Sequence, residues 1–312
     1  MIEVREVSKA FPLRGLFRRG AAVRAVTDVS LSIPAGGALG LVGESGSGKS
    51  TLGRLVLGLL APSSGQVLVD GLDLATASRG AMKALRRRMQ LVFQDPYSSL
   101  DPRRRVGAQI ADGMAIHGIA REGGVAGLLA QVGLPPGHAS RYPHEFSGGQ
   151  RQRIAIARAL ATGPDLLVAD EPVSALDVSV QAQVLTLLAG LRAELGLALL
   201  FISHDLPVVR SLCDRVAVLY LGRVMEEGPA AALFERPLHP YTQALLSAAP
   251  SLTPYARAER IILQGEPPSP VSPPSGCVFR TRCPIAIGAC ALEVPTLREV
   301  EPERRVACLR VA

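Results

Sequence analysis

Short apolar runs along the chain alternate with longer amphipathic stretches. Strand-like apolar runs occur at 39–42, 66–71, 90–93, 166–169, 197–202 and 217–220. Residues 1–33 predict two further strands, joined by a basic segment at 13–24. Helical patterns occupy 51–57, 81–89, 178–195 and 207–212, and residues from 95 to about 160 are mostly helical. Apolar strands that alternate with helices are typical of a parallel sheet covered on both faces.

The composition of the chain changes at residue 237, where prolines, arginines and cysteines become frequent. We therefore predict a main α/β domain at 1–236, with a helical subdomain at about 95–160, and a separate extension at 237–312. A chain of 312 residues is long enough for one large domain and a smaller one.

Candidate chemistry begins directly after the first buried apolar run. Gly43 to Ser50 have the phosphate-loop spacing Gly-x4-Gly-Lys-Ser, between a predicted strand and a predicted helix. Backbone N–H groups of such a loop and the helix N-terminus bind phosphate, the lysine reaches the β- and γ-phosphates, and the serine ligates Mg²⁺. A dinucleotide fold is excluded because Thr51 stands at the third glycine position. The predicted nucleotide contacts here are Gly43, Glu44, Ser45, Gly46, Ser47, Gly48, Lys49, Ser50 and Thr51.

Two carboxylates follow the predicted strand at 166–169, namely Asp170 and Glu171. Ligands of open parallel sheets bind at the carboxyl ends of the strands, which is where these two residues fall. Asp170 suits a Mg²⁺ role, and Glu171 could hold and polarise an attacking water. An exposed acidic turn is the alternative, which the nearby phosphate loop makes less favourable.

A helix start with an unusual composition lies at Ser147-Gly148-Gly149-Gln150. Ser147 and Gln150 have the spacing of a capping box. The paired glycines leave the N–H groups of this helix start open to the close approach of an anion. The alternative is that Ser147 has only a structural role as the N-cap of this helix.

These stretches together resemble the motifs of ATP-binding cassette (ABC) ATPases, up to about residue 230. The signature stretch at 147–150 follows Phe146, where leucine is more usual in the family. The other matching positions are Gln94 for the Q-loop, Asp170 and Glu171 for Walker B, Asp177 for the D-loop, His204 for the switch histidine and Phe11 for the aromatic residue that stacks on adenine. The resemblance predicts an ABC cassette of the P-loop NTPase class, with a mainly parallel core sheet, antiparallel edge strands, a helical subdomain and a small extension that contains cysteines.

The resemblance implies a head-to-tail pair of cassettes with one ATP between the phosphate loop of each and the signature helix of the other. Glu171 would act as the general base, and His204 would contact the γ-phosphate. The resemblance also gives the residues that would bind Mg²⁺, namely Ser50, Gln94 and Asp170. Intact Glu171 and His204 argue against a cassette that binds ATP without hydrolysing it.

Three further stretches resemble the importers of dipeptides, oligopeptides and nickel: 93–102, 171–179 and 237–242. The implied partners are a second ATPase subunit, which we expect to be a different chain, two membrane permeases and an external binding protein. An importer of nickel or glutathione is the alternative within the family. A soluble ABC ATPase is a more distant one, since the chain has neither an inserted coiled coil nor a second cassette.

The extension also carries Cys277, Cys283, Cys290 and Cys308, with the spacing C-x5-C-x6-C-x17-C. In a cytoplasmic protein these favour a metal over disulfides. Zinc, an iron–sulfur cluster and free thiols all remain open from the residues. The resemblance implies a [4Fe–4S] cluster, because relatives carry one in such an extension.

Charge and composition limit which partners and which location we expect for the protein. The net charge is +7, but aromatic residues are 4% of the chain and tryptophan is absent, so nucleic acid is not an expected partner. No signal-peptide core and no run of about 18 apolar residues is visible. We therefore expect a peripheral protein on the cytoplasmic face of the membrane.

Overall fold

The computed structural model describes residues 1–13, 21–95, 99–248 and 260–311. Most of the basic segment predicted at 13–24 therefore lies outside the described residues. The same holds for positions 96–98 within the importer-like stretch at 93–102.

Strands and helices alternate along the chain as the apolar pattern predicts. The strands are β1 (Ile2–Pro12), β2 (Ala22–Ile33), β3 (Ala38–Val42), β4 (Ser64–Val69), β5 (Leu72–Asp73), β6 (Met89–Val92), β7 (Leu166–Asp170), β8 (Ala198–Ile202), β9 (Arg215–Tyr220), β10 (Arg223–Pro229), β11 (Arg298–Glu301) and β12 (Arg304–Val306). The α-helices are α1 (Lys49–Val56), α2 (Arg79–Arg88), α3 (Val106–His117), α4 (Gly124–Gln131), α5 (Gly148–Leu160), α6 (Val178–Leu195), α7 (Leu206–Leu212), α8 (Ala230–Glu235), α9 (Pro240–Ala248) and α10 (Ala289–Leu292). Short 3₁₀ helices occupy Pro136–Ser140 and Pro143–Glu145.

Two compact units are assembled from separated segments, and the first comprises Met1, Ile33–Ala38 and Leu72–Ile202. Its strands β6, β7 and β8 are parallel and adjacent in that order, with Val92 beside Ala169 and Asp170 beside Ile202. Every residue of β7 and β8 is buried, as expected of strands covered on both faces. Helices α3, α4 and α5 pack on one another and form the predicted helical subdomain.

The second unit comprises Ile2–Ser32, Leu39–Gly71 and residues 203–312. One sheet has the order β3-β9-β10-β12-β11, in which β3 and β9 are parallel and the remaining pairs are antiparallel. The other sheet has the order β2-β1-β4, with β1 antiparallel to β4. The expected mixture of parallel core strands and antiparallel edge strands is therefore present.

The extension is fastened to β10 by a buried charge. The carboxylate of Glu226 accepts the backbone N–H groups of Leu238 (3.0 Å) and His239 (2.9 Å), and it forms an ion pair of 3.0 Å with Arg304. The side chain of Glu226 is fully buried and that of Arg304 is 4% exposed. Strand β12, which carries Arg304, pairs directly with β10. These contacts join both ends of the extension to the main sheet of its unit.

None of the helices in the described ranges combines the length and apolar character needed to cross a bilayer.

Candidate functional site

The loop from Gly43 to Gly48 has the shape of an anion-binding turn. Gly43 and Gly48 adopt positive φ angles of 151° and 104°. A Cβ atom would lie 2.1 Å from the Leu219 oxygen at Gly43, and 2.2 Å from the Ala25 oxygen at Gly48. Only glycine fits at these two positions, because both the conformation and the space exclude a side chain.

Several hydrogen-bond donors lie in the phosphate loop and at the start of α1. The N-cap of α1 is Gly48, so no side chain caps the N–H groups of the first helical turn. The Ser47 hydroxyl is buried and has no hydrogen-bond partner among the described residues. The Lys49 ammonium donates to the carbonyl oxygens of Gly43 and Glu44, both at 2.8 Å. This arrangement fits a triphosphate, whose oxygens could accept from the same groups.

Glu44, inside the loop, contacts two residues that the sequence did not indicate. Its backbone N–H donates to the Tyr241 hydroxyl at 2.9 Å, and Arg282 donates to its carboxylate at 2.8 and 3.0 Å. Both partners belong to the extension, 197 and 238 residues further along the chain. Contacts between residues so far apart in sequence cannot be predicted from a local motif.

At the carboxyl end of β7, Asp170 is buried and Glu171 follows with a φ angle of 47°. The Glu171 N–H donates to the Ile202 oxygen at 2.9 Å, which holds this left-handed turn against the end of β8. The Gln94 amide donates to the Glu171 carboxylate at 3.0 Å. The structure therefore brings together two residues that were predicted to handle the attacking water and Mg²⁺.

The signature stretch begins α5 with the predicted capping box. The Gln150 N–H donates to the Ser147 hydroxyl at 3.3 Å, and the Ser147 N–H donates to the Gln150 side chain at 3.1 Å. Gly149 lies against α6, where an added Cβ would be 2.2 Å from Val180. Asp177 caps α6 by accepting the Val180 N–H at 3.0 Å. The predicted signature and D-loop are thus neighbours at two helix starts.

The Asp177 carboxyl has a lowered pKa. The main cause is the hydrogen bond from the Ser179 hydroxyl, followed by the bond from the Val180 N–H. Both bonds favour the ionised carboxylate, so Asp177 remains charged at neutral pH.

His204 follows β8 and is exposed. The N–H of the preceding Ser203 donates to the Leu41 oxygen on β3 at 3.2 Å, so the histidine segment starts beside the strand that leads into the phosphate loop. Phe11 lies on β1, half-buried, with the Lys9 ammonium 5.3 Å from its ring centre. The stacking of Phe11 on adenine stays a prediction.

The four cysteines of the extension influence one another. Burial raises the pKa of the Cys277 thiol, a hydrogen bond from the Phe279 backbone opposes that rise, and the charges of Cys290, Cys283 and Cys308 add to it. Across the described ranges, however, no group of three or more His, Cys, Asp or Glu side chains is arranged to hold a metal ion. The thiols lie close enough to influence one another's ionisation, and the iron–sulfur cluster stays a prediction.

Comparison with known families matches two regions of the chain. Residues 26–174 match the ABC transporter model, and residues 225–290 match the C-terminal region of oligopeptide/dipeptide transporters. A Brucella ovis protein whose name describes a peptide import ATP-binding protein is 57% identical over 306 residues, which cover 96% of both chains. The chain belongs to the ABC transporter family. As an ABC ATPase it binds and hydrolyses ATP, in agreement with the predicted motifs.

Another relative of this ABC ATPase is the oligopeptide transport ATP-binding protein AppF of Bacillus subtilis. It is 51% identical over 317 residues, covering 99% of this chain and 96% of AppF. A solved dimer of the ATP-binding cassette MJ0796, bound to ADP and Pi, is 28% identical, with a TM-score of 0.66 over 74% of this chain and 99% of that one. The structure of cbiO1 from Clostridium perfringens has a TM-score of 0.64, 29% identity, and coverage of 75% and 90%. These neighbours confirm the ABC cassette fold.

Proposed function

We propose that this ABC ATPase powers the import of dipeptides or oligopeptides through membrane permeases. The observation that carries the proposal is the extension, which matches the C-terminal region of oligopeptide/dipeptide transporters and contacts the phosphate loop through Tyr241 and Arg282. The names of the relatives favour peptides over the nickel and glutathione alternatives. A soluble, non-transporting ABC ATPase would have no evident use for this extension.

The proposed chemistry uses the residues in the roles that the motifs predict. The backbone of 43–48, Lys49 and Thr51 would bind the triphosphate, and Phe11 would stack on adenine. Ser50, Gln94 and Asp170 would hold Mg²⁺, which neutralises charge on the phosphate oxygens. Glu171 would accept the proton of the attacking water, and its bond to Gln94 orients the carboxylate. His204 would contact the γ-phosphate.

Each chain would supply half of two ATP sites. We propose that Ser147, Gly148, Gly149, Gln150 and Asp177 face the nucleotide bound by the phosphate loop of a second cassette. The start of α5 supports this role, because a helix N-terminus attracts an anion and its glycines allow close approach. The second cassette is proposed to be a different chain, working with two permeases and an external binding protein.

The proposal divides the chain as the sequence suggests, with the ATPase domain at 1–236, including a helical subdomain at about 95–160, and the extension at 237–312. It places the protein on the cytoplasmic face of the membrane, held there by the permeases. Arginines at 86–88 and 103–105 could meet acidic permease segments or lipid headgroups.

Substitution of Lys49 by alanine tests the nucleotide site. Removal of the ammonium should abolish measurable ATP binding in calorimetry, because no other side chain of the loop carries a positive charge to the β- and γ-phosphates. Lys83→Ala, on the exposed face of α2, is the matched control and should bind ATP normally. Unchanged ATP affinity in Lys49→Ala would refute the assignment of the phosphate loop.

The iron–sulfur cluster on Cys277, Cys283, Cys290 and Cys308 is proposed separately. Its support is the mutual influence of the thiols, together with N–H groups that donate to the sulfurs of Cys277 and Cys283. Protein purified without oxygen should be brown and contain iron and sulfide. A colourless preparation that contains zinc would replace the cluster with a zinc site, and one without either metal would refute both.

A further inference from the structure

Glu44 is an acidic residue in a loop that has to receive a highly charged anion. Its three polar groups are all engaged: the N–H with Tyr241, the carbonyl oxygen with Lys49 and the carboxylate with Arg282. An unpaired carboxylate at this position would repel a triphosphate. The chain must therefore offset the charge of Glu44 before the loop can bind its ligand well.

Arg282 is held in place by a buried aromatic cluster made of Tyr220, Tyr241 and Phe279. The Tyr220 ring lies 4.7 Å from the Tyr241 ring and 5.2 Å from the Phe279 ring, between centroids. The Tyr241 and Phe279 rings are 5.3 Å apart. All three side chains are almost completely buried. This cluster fixes the segment of the extension that ends at Arg282.

The ion pair between Arg282 and Glu44 is partly shielded from water. The Arg282 side chain is 9% exposed and that of Glu44 is 27% exposed. One Nη1 nitrogen donates to both oxygens of the carboxylate, at 3.0 and 2.8 Å. Partial burial strengthens such a pair relative to one on the surface, since water screens it less.

We propose that Arg282 is a positioning residue for ATP binding: it holds and neutralises Glu44 so that the phosphate loop accepts a triphosphate. The inference rests on the proposed assignment of residues 43–50 as the nucleotide site. With this role, the C-terminal extension would directly affect the affinity for ATP, in addition to any role in the assembly of the transporter subunits. Tyr241 assists by fixing the backbone of Glu44, whose carbonyl oxygen accepts the Lys49 ammonium.

The experiment compares ATP affinity by calorimetry on the full chain. Arg282→Gln should weaken ATP binding about fivefold or more, a typical size for coupling between sites. The double variant Arg282→Gln with Glu44→Gln should return to within about twofold of the native affinity, because no unpaired carboxylate remains and the backbone of Glu44, its proposed contact with the triphosphate, is unchanged. If Arg282→Gln only damaged the fold, a second substitution that neutralises Glu44 would not restore the affinity for ATP.

Arg280→Gln is the matched control in the same segment. The Arg280 side chain donates to the Ser275 oxygen at 2.9 Å and to the Ser275 hydroxyl at 3.3 Å, both away from the phosphate loop. Its ATP affinity should therefore equal that of the native chain. The melting temperature of each variant without nucleotide, measured in parallel, reports any change in stability separately from affinity.

Native affinity in Arg282→Gln, or a double variant that binds as weakly as the single one, would overturn the inference. If Arg282→Gln does not fold, the double variant carries the test, and fivefold weaker binding there contradicts the proposal. Lys49→Ala distinguishes a failure of the role proposed for Arg282 from a failure of the proposed nucleotide site. Loss of binding in Lys49→Ala with native binding in Arg282→Gln refutes only the role of Arg282, whereas native binding in Lys49→Ala refutes the nucleotide site itself.

Discussion

Glu171 has a backbone conformation that side-chain-bearing residues rarely adopt. A φ angle of 47° at a residue other than glycine costs on the order of 1–3 kcal/mol and is often found where function requires it. Here the turn is held by the bond from the Glu171 N–H to Ile202, and the carboxylate accepts from Gln94. The strained turn thus presents a carboxylate that already has a defined orientation, as a general base needs.

Glu171→Gln should keep ATP affinity and lower the hydrolysis rate by about 10²–10⁴-fold, the usual contribution of a positioned general base. Glutamine preserves the shape of the side chain but accepts no proton at neutral pH. The measurement is phosphate release at saturating ATP, beside calorimetric affinity. Glu194→Gln, exposed in the last turn of α6, is the control and should hydrolyse ATP normally. A native rate in Glu171→Gln would remove this residue from the role of base.

The local structures that carry the motifs could be predicted from the sequence, because each one is formed by neighbouring residues. A phosphate loop, a capping box or a strand that ends in two carboxylates is specified by residues within ten positions of one another. The partners of Glu44 could not be predicted, since Tyr241 and Arg282 are ordinary residues until the fold brings them to the loop. Long-range pairing of this kind leaves no periodicity or spacing to detect.

At the scale of elements, helix starts were easier to predict than the last three strands of the chain, β10, β11 and β12. The capping box of α5 is specified by four consecutive residues, and the structure confirms it. Strand β10 was not predicted, because its charged Glu226 and Glu227 interrupt the apolar pattern even though both are buried. Strands β11 and β12 are short and rich in charge, and only their pairing with β10 and with each other defines them.

Glu226→Gln should destabilise the fold by about 1–3 kcal/mol, because it removes the buried carboxylate of the ion pair and leaves Arg304 paired only with the more exposed Glu301. Urea denaturation followed by circular dichroism measures the change. Glu266→Gln, exposed in the extension, provides the comparison and should leave the unfolding midpoint unchanged. A midpoint for Glu226→Gln equal to that of the control would contradict the anchoring role of this ion pair.

His239, just before α9, should make the stability of the protein depend on pH. Burial lowers its pKa from 6.5 to about 3, and its Nδ1 accepts the Tyr241 N–H at 3.0 Å. Below pH 6.5 the unfolded chain takes up a proton that the folded chain does not, so the free energy of unfolding falls by about 1.4 kcal/mol per pH unit, down to the folded pKa.

His239→Asn keeps an acceptor near the position of Nδ1 but does not titrate. Between pH 7 and pH 5 the native chain should lose about 2 kcal/mol more stability than this variant in urea denaturation. His144→Asn, which removes an exposed histidine, should retain the native pH dependence. Equal slopes for the native chain and His239→Asn would show that His239 is protonated within the fold.

At the scale of the whole molecule, the order of strands and helices followed from the apolar pattern, but the assembly of the chain did not. Each compact unit is built from segments far apart in sequence, so no composition boundary marks it. The extension illustrates this point. Its described residues fall in the same compact unit as the phosphate loop, a grouping that its proline and cysteine content did not indicate.

Two chains are proposed to share the ATP sites: each cassette would carry half of two sites, and ATP would complete them. The signature residues would then matter for hydrolysis without touching the nucleotide that their own phosphate loop binds. Loss of a helix cap alone costs only about 1 kcal/mol. A signature variant can therefore be compared with one that loses a different cap, Ser78 at the start of α2.

The most direct test is the ATP hydrolysis rate of the cassette with its partner cassette and Mg²⁺, after Ser147 and Gly148 are both changed to alanine. An added Cβ at Gly148 would meet only the end of the Leu176 side chain, at 3.2 Å, so the fold should tolerate it. If the sites are shared, the hydrolysis rate should fall by about 10²-fold or more, and Ser78→Ala should keep the native rate. An unchanged rate in the signature variant would contradict the shared sites.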